Sequence, residues 1–200
     1  MKLFRIFNTF FVFATIVSAC PSCGNKEADN ALDLAESIIW DRPDSVLSVL
    51  RSVDTLSLGT DADRARFSLL YTMSLDRNGI DTTDITLIRQ AMLYYQRHGT
   101  DDDRMKMYYY LGRLYHNGQD YQSAIKCYLQ AREYSSGSDD FRFRGLVSSV
   151  IADVNAQNYN SVGKVHYAEE ACKYFRLADD STRLWNTTGW LAAYYADCNR

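Results

Sequence analysis

The stretch YYYLGRLYHNGQDYQSAIKCYLQA, residues 108–131, predicts two helices joined by a tight turn. Large apolar and aromatic side chains recur at helical spacing on both sides of a polar turn at residues 117–120, which contains Gly118. A small residue stands in each half, at Gly112 and Ala124, where two packed helices would cross most closely. The stretch therefore indicates a hairpin in which a first helix, A, packs directly on a second helix, B.

The pattern recurs along the chain with a period of 40 residues. Three series share this spacing: Ala91, Ala131 and Ala171; Tyr94, Tyr134 and Tyr174; and Tyr71, Leu111, Ile151 and Leu191. The repeated alanine indicates a close helix contact, and the tyrosine three residues later lies on the same side of the helix. A fixed period of this size is typical of solenoids that stack helix pairs.

Extension of this pattern outward from residues 108–131 predicts further helices and no strand. Nine helices are expected, near residues 28–40, 43–53, 62–77, 84–98, 102–116, 121–134, 140–156, 162–177 and 182–197. Two prolines and ten glycines among 200 residues are too few turn-forming residues for a many-stranded fold. We therefore predict an all-α fold, a right-handed superhelical solenoid of antiparallel helix pairs over residues 29–200, with truncation at the C-terminus as an open alternative.

The central hairpin resembles the tetratricopeptide repeat (TPR). The residues that carry the resemblance are Tyr108, Leu111, Gly112, Tyr115, Ala124, Tyr128 and Ala131. Tyr108 stands where the family has Trp, and Ser136 stands where it often has Pro. The 40-residue period exceeds the family's usual period of about 34, so the extra residues fall in the connections from helix B to the next helix A.

The N-terminus has the features of an export signal. Lys2 and Arg5 precede an apolar run over residues 6–17, which is shorter than the roughly 20 residues that a membrane-spanning helix needs. The run ends in VSAC, residues 17–20, which resembles the bacterial lipobox, where the cysteine is acylated before cleavage. The whole chain is similar to the TPR lipoproteins of Bacteroidetes bacteria.

These features predict a signal peptide over residues 1–19, lipidation of Cys20 and a polar tether over residues 20–28. The predicted location is the bacterial cell envelope, where the lipid would anchor the chain to the outer membrane or the cell surface. Two alternatives stay open at this point: cleavage by an ordinary signal peptidase, and an uncleaved membrane anchor. A redox pair formed by Cys20 and Cys23 is disfavoured because no strand precedes it.

Catalytic, cofactor and metal motifs are missing from the sequence. The three histidines, His98, His116 and His166, stand apart from one another and from nucleophile motifs, and no glycine-rich phosphate loop occurs. We therefore expect a protein that is not an enzyme and that holds no cofactor and no metal. With 22 basic and 25 acidic side chains and a net charge of −3, the chain also lacks the basic footprint of a nucleic-acid-binding protein.

Two acidic runs, at residues 60–63 and 101–103, are interpreted as helix N-caps. Neither run has the alternating ligands and the glycine of a calcium loop, whereas acidic side chains stabilise the first turn of a helix. Cys127 and Cys172 fall on predicted B helices, where a small buried thiol is the usual case.

Solenoids of this kind bind extended peptides or other proteins in a concave groove that their A helices line. Counting from the motif places these residues in that groove: Arg66, Met73, Lys106, Tyr109, Arg113, His116, Asn117, Asp153 and Asn186. Tyr109 and Arg113 are the preferred candidates, because the motif does not need a bulky Tyr109 and an arginine can hold a carboxylate through two hydrogen bonds. The family's carboxylate clamp of alternating Lys and Asn is not reproduced, which disfavours a chaperone C-terminus as ligand.

Two functions are compatible with these observations. The first is a lipid-anchored, non-enzymatic TPR scaffold that binds a protein or peptide partner, with the membrane contacted through the N-terminal lipid. The alternative is a glycan-binding accessory lipoprotein, suggested by abundant tyrosine and by three tryptophans expected to be exposed: Trp40, Trp185 and Trp190.

Overall fold

The computed structural model describes the backbone of residues 21–158 and 160–198, and the side chains from residue 26 onward within these ranges. Every regular element in these residues is helical, which confirms the all-α prediction. The α-helices are α1 (Pro21–Ile38), α2 (Pro43–Ser52), α3 (Asp61–Arg77), α4 (Arg89–His98), α5 (Asp101–Asn117), α6 (Tyr121–Ser135), α7 (Phe141–Gln157), α8 (Ser161–Leu177) and α9 (Ser181–Cys198). Two short 3-10 helices, Thr55–Ser57 and Ile85–Ile88, precede α3 and α4.

The odd-numbered helices repeat at a constant interval. α3, α5, α7 and α9 begin at residues 61, 101, 141 and 181, so the 40-residue period of the sequence recurs in the helix starts, and α1 is already helical at Pro21, the first residue described. Each α-helix packs against the next one along the chain, and α1, α3, α5 and α7 also contact one another in order. The three alanines of the repeat, Ala91, Ala131 and Ala171, are completely buried, as their spacing predicts.

Two helices differ from the sequence-based expectation at their N-terminal ends. α1 is helical from Pro21, the first residue that the structure describes, so most of the segment expected to be a polar tether is helical. The buried residues Ala28, Leu32 and Ala35 extend one apolar side along α1. The fourth expected helix begins as a 3-10 helix, because the carboxylate of Asp84 accepts the N–H of Thr86 (2.9 Å) and tightens the turn.

The helices α3 and α5 begin with the same capping arrangement. Thr60 Oγ1 accepts the N–H of Asp63 (3.1 Å), and Asp63 Oδ2 accepts the N–H of Thr60 (3.0 Å). Thr100 and Asp103 repeat this pair of bonds at 3.2 and 2.9 Å. Both acidic runs therefore cap helices, as predicted, because each pair satisfies two N–H groups that the first turn leaves without a partner.

Cys127 on α6 and Cys172 on α8 are buried, which confirms the prediction made for these thiols. The signal peptide and Cys20 lie outside the described residues. None of the helices that the structure describes has an apolar stretch long enough to cross a lipid bilayer.

Candidate binding site

The indole of Trp40, which follows α1, meets side chains from three distant helices. Its ring centroid lies 5.3 Å from that of Phe143 in α7, in an edge-to-face contact. The guanidinium carbons of Arg77 in α3, Arg142 in α7 and Arg183 in α9 lie 4.5, 4.7 and 5.1 Å from the Trp40 centroid. These three arginines are called the arginine cluster below. Trp40 is half-buried, so the prediction that it is solvent-exposed is wrong.

The three arginines of the cluster lie at the ends of their helices, and one of them also binds the backbone of Trp40. Arg77 lies in the last turn of α3, where a cation is favourable, and its Nη2 donates to the carbonyl oxygen of Trp40 (3.0 Å). Arg142 and Arg183 lie in the first turns of α7 and α9, where the helix dipole disfavours a cation. The dipoles of α7 and α9 therefore add to the positive potential at Trp40.

One buried carboxylate serves two of the three arginines. Asp180, whose side chain is 7% exposed, is ion-paired with Arg142 through Nε (3.2 Å) and with Arg183 through Nη1. Among the described residues Arg77 forms no ion pair, and its Nε is buried without a hydrogen-bond acceptor. Burial lowers the pKa of Arg77, and repulsion from Arg183 and Arg142 lowers it further. The arginine cluster thus carries more positive charge than Asp180 compensates.

Trp40 lines two cavities. The larger, of about 520 Å³, is lined by the arginine cluster, Asp180 and the predicted groove residue Asn186, with the exposed Asp41 and Asp179 at its wall. The smaller, of about 290 Å³, is lined by Glu36, Phe143 and three predicted groove residues, Arg66, Met73 and Lys106.

The two predicted cations of the smaller cavity are neutralised by neighbouring carboxylates. Arg66 binds Asp33 (2.7 Å) and Glu36 (2.6 Å), and the hydrogen bonds that Arg66 donates to Glu36 raise the pKa of Arg66. Lys106 binds Asp102 (2.6 Å) and Asp140 (3.3 Å). Burial alone would lower the pKa of Lys106, but these two carboxylates outweigh burial and raise it.

Of the two preferred candidates, Tyr109 is buried and Arg113 is ion-paired with Asp76. Tyr109 is only 5% exposed, and its ring packs edge-to-face on Tyr110 (5.0 Å) and Phe143 (5.9 Å), so its predicted exposure in the groove is wrong. Burial also raises the pKa of the Tyr109 hydroxyl. Arg113 Nε donates to Asp76 Oδ1 (2.8 Å). Tyr109 is buried because the ring that the motif did not require fills the space between α5 and α7.

The remaining predicted residues, His116, Asn117 and Asp153, line neither cavity. His116 packs edge-to-face on Tyr121 (5.3 Å), and its Nδ1 is buried without a partner. Asn117 Nδ2 donates to the carbonyl oxygen of Thr82 (3.2 Å). Asp153 is exposed on α7 and accepts a hydrogen bond from Gln157. Met73, although it touches the smaller cavity, is 4% exposed and belongs to the core.

Sequence reasoning missed Arg77, Arg142, Arg183 and Asp180. These residues lie at helix ends, away from the positions that the repeat motif defines. The one available signal was Trp40, a tryptophan at the end of the first predicted helix.

No family model, no curated protein and no solved structure matches this chain. The described residues contain no group of three or more histidine, cysteine or acidic side chains that could hold a metal ion.

Proposed function

We propose that this protein is a lipid-anchored, non-enzymatic TPR-type scaffold that binds a protein or peptide partner in the bacterial envelope. The chain would form a right-handed solenoid of antiparallel helix pairs, with the partner held in the groove of the A helices. The constant 40-residue interval between the odd-numbered helices and the contacts of each helix with the next support this architecture.

The proposal rests on which helices contribute the side chains that line the two cavities. Nearly all of them come from the odd-numbered helices α1, α3, α5, α7 and α9 or from the residues next to their ends, and Tyr95 of α4 is the exception. In a TPR-type solenoid these helices are the A helices, whose side forms the concave binding surface. The two cavities share Trp40 and so form neighbouring parts of one groove, which we call the Trp40 groove.

Anchoring in the envelope is proposed from the sequence around Cys20. The signal peptide over residues 1–19 and the VSAC segment at 17–20 support acylation of this cysteine. An acyl anchor of more than one chain would keep the scaffold stably at the outer membrane or the cell surface.

Photocrosslinking tests the scaffold. The photoreactive amino acid p-benzoylphenylalanine is introduced at Asn186, an exposed residue of the Trp40 groove, and at Leu177, an exposed residue of α8 outside it. We expect a discrete crosslinked protein from Asn186 and none from Leu177 in cells that produce the full chain. The absence of a crosslink at Asn186, or identical crosslinks at both positions, would contradict a scaffold that uses this groove.

One observation favours the alternative of a glycan-binding accessory lipoprotein. Trp185 and Trp190 on α9 are 80% and 53% exposed, and exposed indoles can stack on sugar rings. Trp40 is less suited to this role, because three guanidinium groups lie over its ring. A fluorescence change on titration with oligosaccharides that disappears in Trp185→Ala or Trp190→Ala would favour the alternative.

A further inference from the structure

The arginine cluster in the Trp40 groove has an excess of positive charge. Three guanidinium groups surround one indole, and Asp180 is the one carboxylate that pairs with any of them among the described residues. Asp41 and Asp179 lie at the same cavity, but both are exposed to solvent and form no ion pair with the cluster. Solvated carboxylates of this kind contribute little to the stability of distant cations. An anion that entered the cavity would therefore be favoured.

The cluster also offers hydrogen-bond donors that the protein does not use. A guanidinium has five N–H donors, and Arg77 donates one of them to the carbonyl oxygen of Trp40. Arg142 pairs with Asp180 through Nε (3.2 Å) and Arg183 pairs with it through Nη1, which leaves the Nη groups of Arg142 and Nη2 of Arg183 without an acceptor among the described residues. The side chains of Arg142 and Arg183 stay 32% and 26% exposed, so a ligand in the cavity can reach their free N–H groups.

The indole of Trp40 holds these donors in place. A guanidinium stacked on an aromatic ring keeps its planar fork in a defined orientation, and Phe143 supports the indole from its edge (5.3 Å). Donors that are already oriented lose less conformational entropy when a ligand binds. Because a planar carboxylate matches the fork of a guanidinium with two parallel hydrogen bonds, it is the anion that this arrangement fits best.

We propose that the arginine cluster binds a carboxylate group of the peptide that occupies the Trp40 groove. This inference rests on the proposed function, because it names the chemistry by which the scaffold recognises its partner. The cavity of about 520 Å³ is large enough to admit an acidic side chain or a chain end, and both sources present the same carboxylate. Trp40 acts as a positioning residue for the three arginines.

Calorimetric titration of the purified chain with short peptides tests this proposal. Acetyl-tetraglutamate amide carries side-chain carboxylates alone, acetyl-tetraglycine with a free C-terminus carries a terminal carboxylate alone, and acetyl-tetraglutamine amide carries none. We expect one of the two carboxylate peptides to bind about tenfold or more tightly than the glutamine peptide, since hydrogen bonds to charged groups are the stronger ones. The peptide that binds identifies the source of the carboxylate.

Variants assign the binding to the cluster. Arg183→Gln and Arg77→Gln are each expected to weaken binding of the carboxylate peptide about tenfold or more. Arg183→Lys should weaken this binding as well, because lysine keeps the charge but loses the planar fork. Arg176→Gln on α8 is the matched control, since it removes an exposed arginine outside the groove. Its affinity should equal that of the unaltered protein. Circular dichroism establishes that each variant is folded.

The emission of Trp40 gives an independent readout. In a chain with Trp185→Phe and Trp190→Phe, Trp40 is the remaining tryptophan, and its emission should change when the carboxylate peptide binds. A change of this kind that persists in Arg176→Gln and disappears in Arg183→Gln supports the proposal.

Other outcomes overturn it. Equal affinity for the glutamine peptide, no binding of either carboxylate peptide, or unchanged binding in folded Arg183→Gln would each refute the carboxylate site. Tighter binding of trigalacturonate than of every peptide would refute a peptide ligand in favour of an acidic glycan. If a partner is crosslinked at Asn186 and Arg183→Gln does not reduce that crosslink, the carboxylate site is refuted and the scaffold is not. If the arginine cluster binds the peptide but no protein is crosslinked at Asn186, the scaffold alone is refuted.

Discussion

Gly112 in α5 lies directly against the ring of Tyr128 in α6: a β-carbon on Gly112 would stand 2.6 Å from Cδ1 of that ring. Gly145 in α7 has the same relation to Phe175 in α8, with a β-carbon 2.6 Å from Cδ1. Both rings are buried, and real β-carbons essentially never approach another atom within 3.0 Å. Glycine is therefore what allows each of these helix pairs to approach closely around a large aromatic side chain.

Replacement of Gly112 tests this close contact. Gly112→Ala is expected to lower the free energy of unfolding by about 1–3 kcal/mol, because overpacking outweighs the gain of about 1 kcal/mol in helix propensity. Gly112→Leu should lower the free energy of unfolding further. Gly189→Ala in α9 is the matched control: nothing lies within 4 Å of its added β-carbon, so the change should stabilise the protein. Urea unfolding followed by circular dichroism measures both, and a similar effect at the two glycines would show that the contact at Tyr128 is wrong.

The hydroxyl of Tyr128 is buried and has no hydrogen-bond partner. Tyr128→Phe should therefore raise the free energy of unfolding by about 1 kcal/mol at neutral pH, because the folded chain no longer buries an unsatisfied polar group. Tyr174→Phe is the control, since its hydroxyl accepts a hydrogen bond from Arg144 Nη2 (2.8 Å), and its loss should cost about 1 kcal/mol. Chemical unfolding measures both changes. Opposite signs are expected, and two losses of equal size would contradict the unpaired hydroxyl.

Stability should fall steeply in alkali. Burial raises the pKa of Cys127 to about 11 and raises the pKa values of Tyr109, Tyr110 and Tyr128 above their ordinary value of about 10. Above the unfolded-state pKa values the unfolded chain binds fewer protons than the native chain, so the free energy of unfolding decreases as pH rises. It should be constant up to about pH 8.5 and then decline, with each tyrosine adding a slope of about 1.4 kcal/mol per pH unit above about pH 10.

Urea unfolding at a series of pH values up to about pH 11 measures this decline. Tyr128→Phe should make the slope above about pH 10 shallower by about 1.4 kcal/mol per unit, since one buried titrating group is gone. A stability curve that stays flat through this range would mean that the tyrosines ionise as easily in the folded protein as in the unfolded chain.

The proposed lipid anchor is attached to the sulfur atom of Cys20. Cys20→Ala should abolish acylation, so that the protein is released from membranes by carbonate or high salt, because the proposed anchor consists of the acyl chains on this cysteine. Cys23→Ala removes the neighbouring thiol and should leave the protein on the membrane. Fractionation with immunoblotting measures both variants, and retention of Cys20→Ala would rule out the lipoprotein interpretation.

Local sequence pattern was sufficient for the helices and for most of their ends. Thr60 and Thr100 cap α3 and α5, and the buried Ala91, Ala131 and Ala171 follow the predicted spacing, because capping bonds and helical periodicity involve residues within a few positions of each other. The N-terminal extent of α1 was not predicted, since polar residues at its start weaken the periodic signal.

The candidate site depended on the tertiary structure. Tyr109 was expected to be open and is buried between α5 and α7, while Trp40 was expected to be exposed and is surrounded by Arg77, Arg142 and Arg183. The contacts of Trp40 join residues that lie far apart in the chain, and they form where the end of α1 meets the end of α3 and the first turns of α7 and α9. A repeat pattern specifies each helix contact with its neighbour, but the sum of those contacts over the chain is a property of the assembled fold.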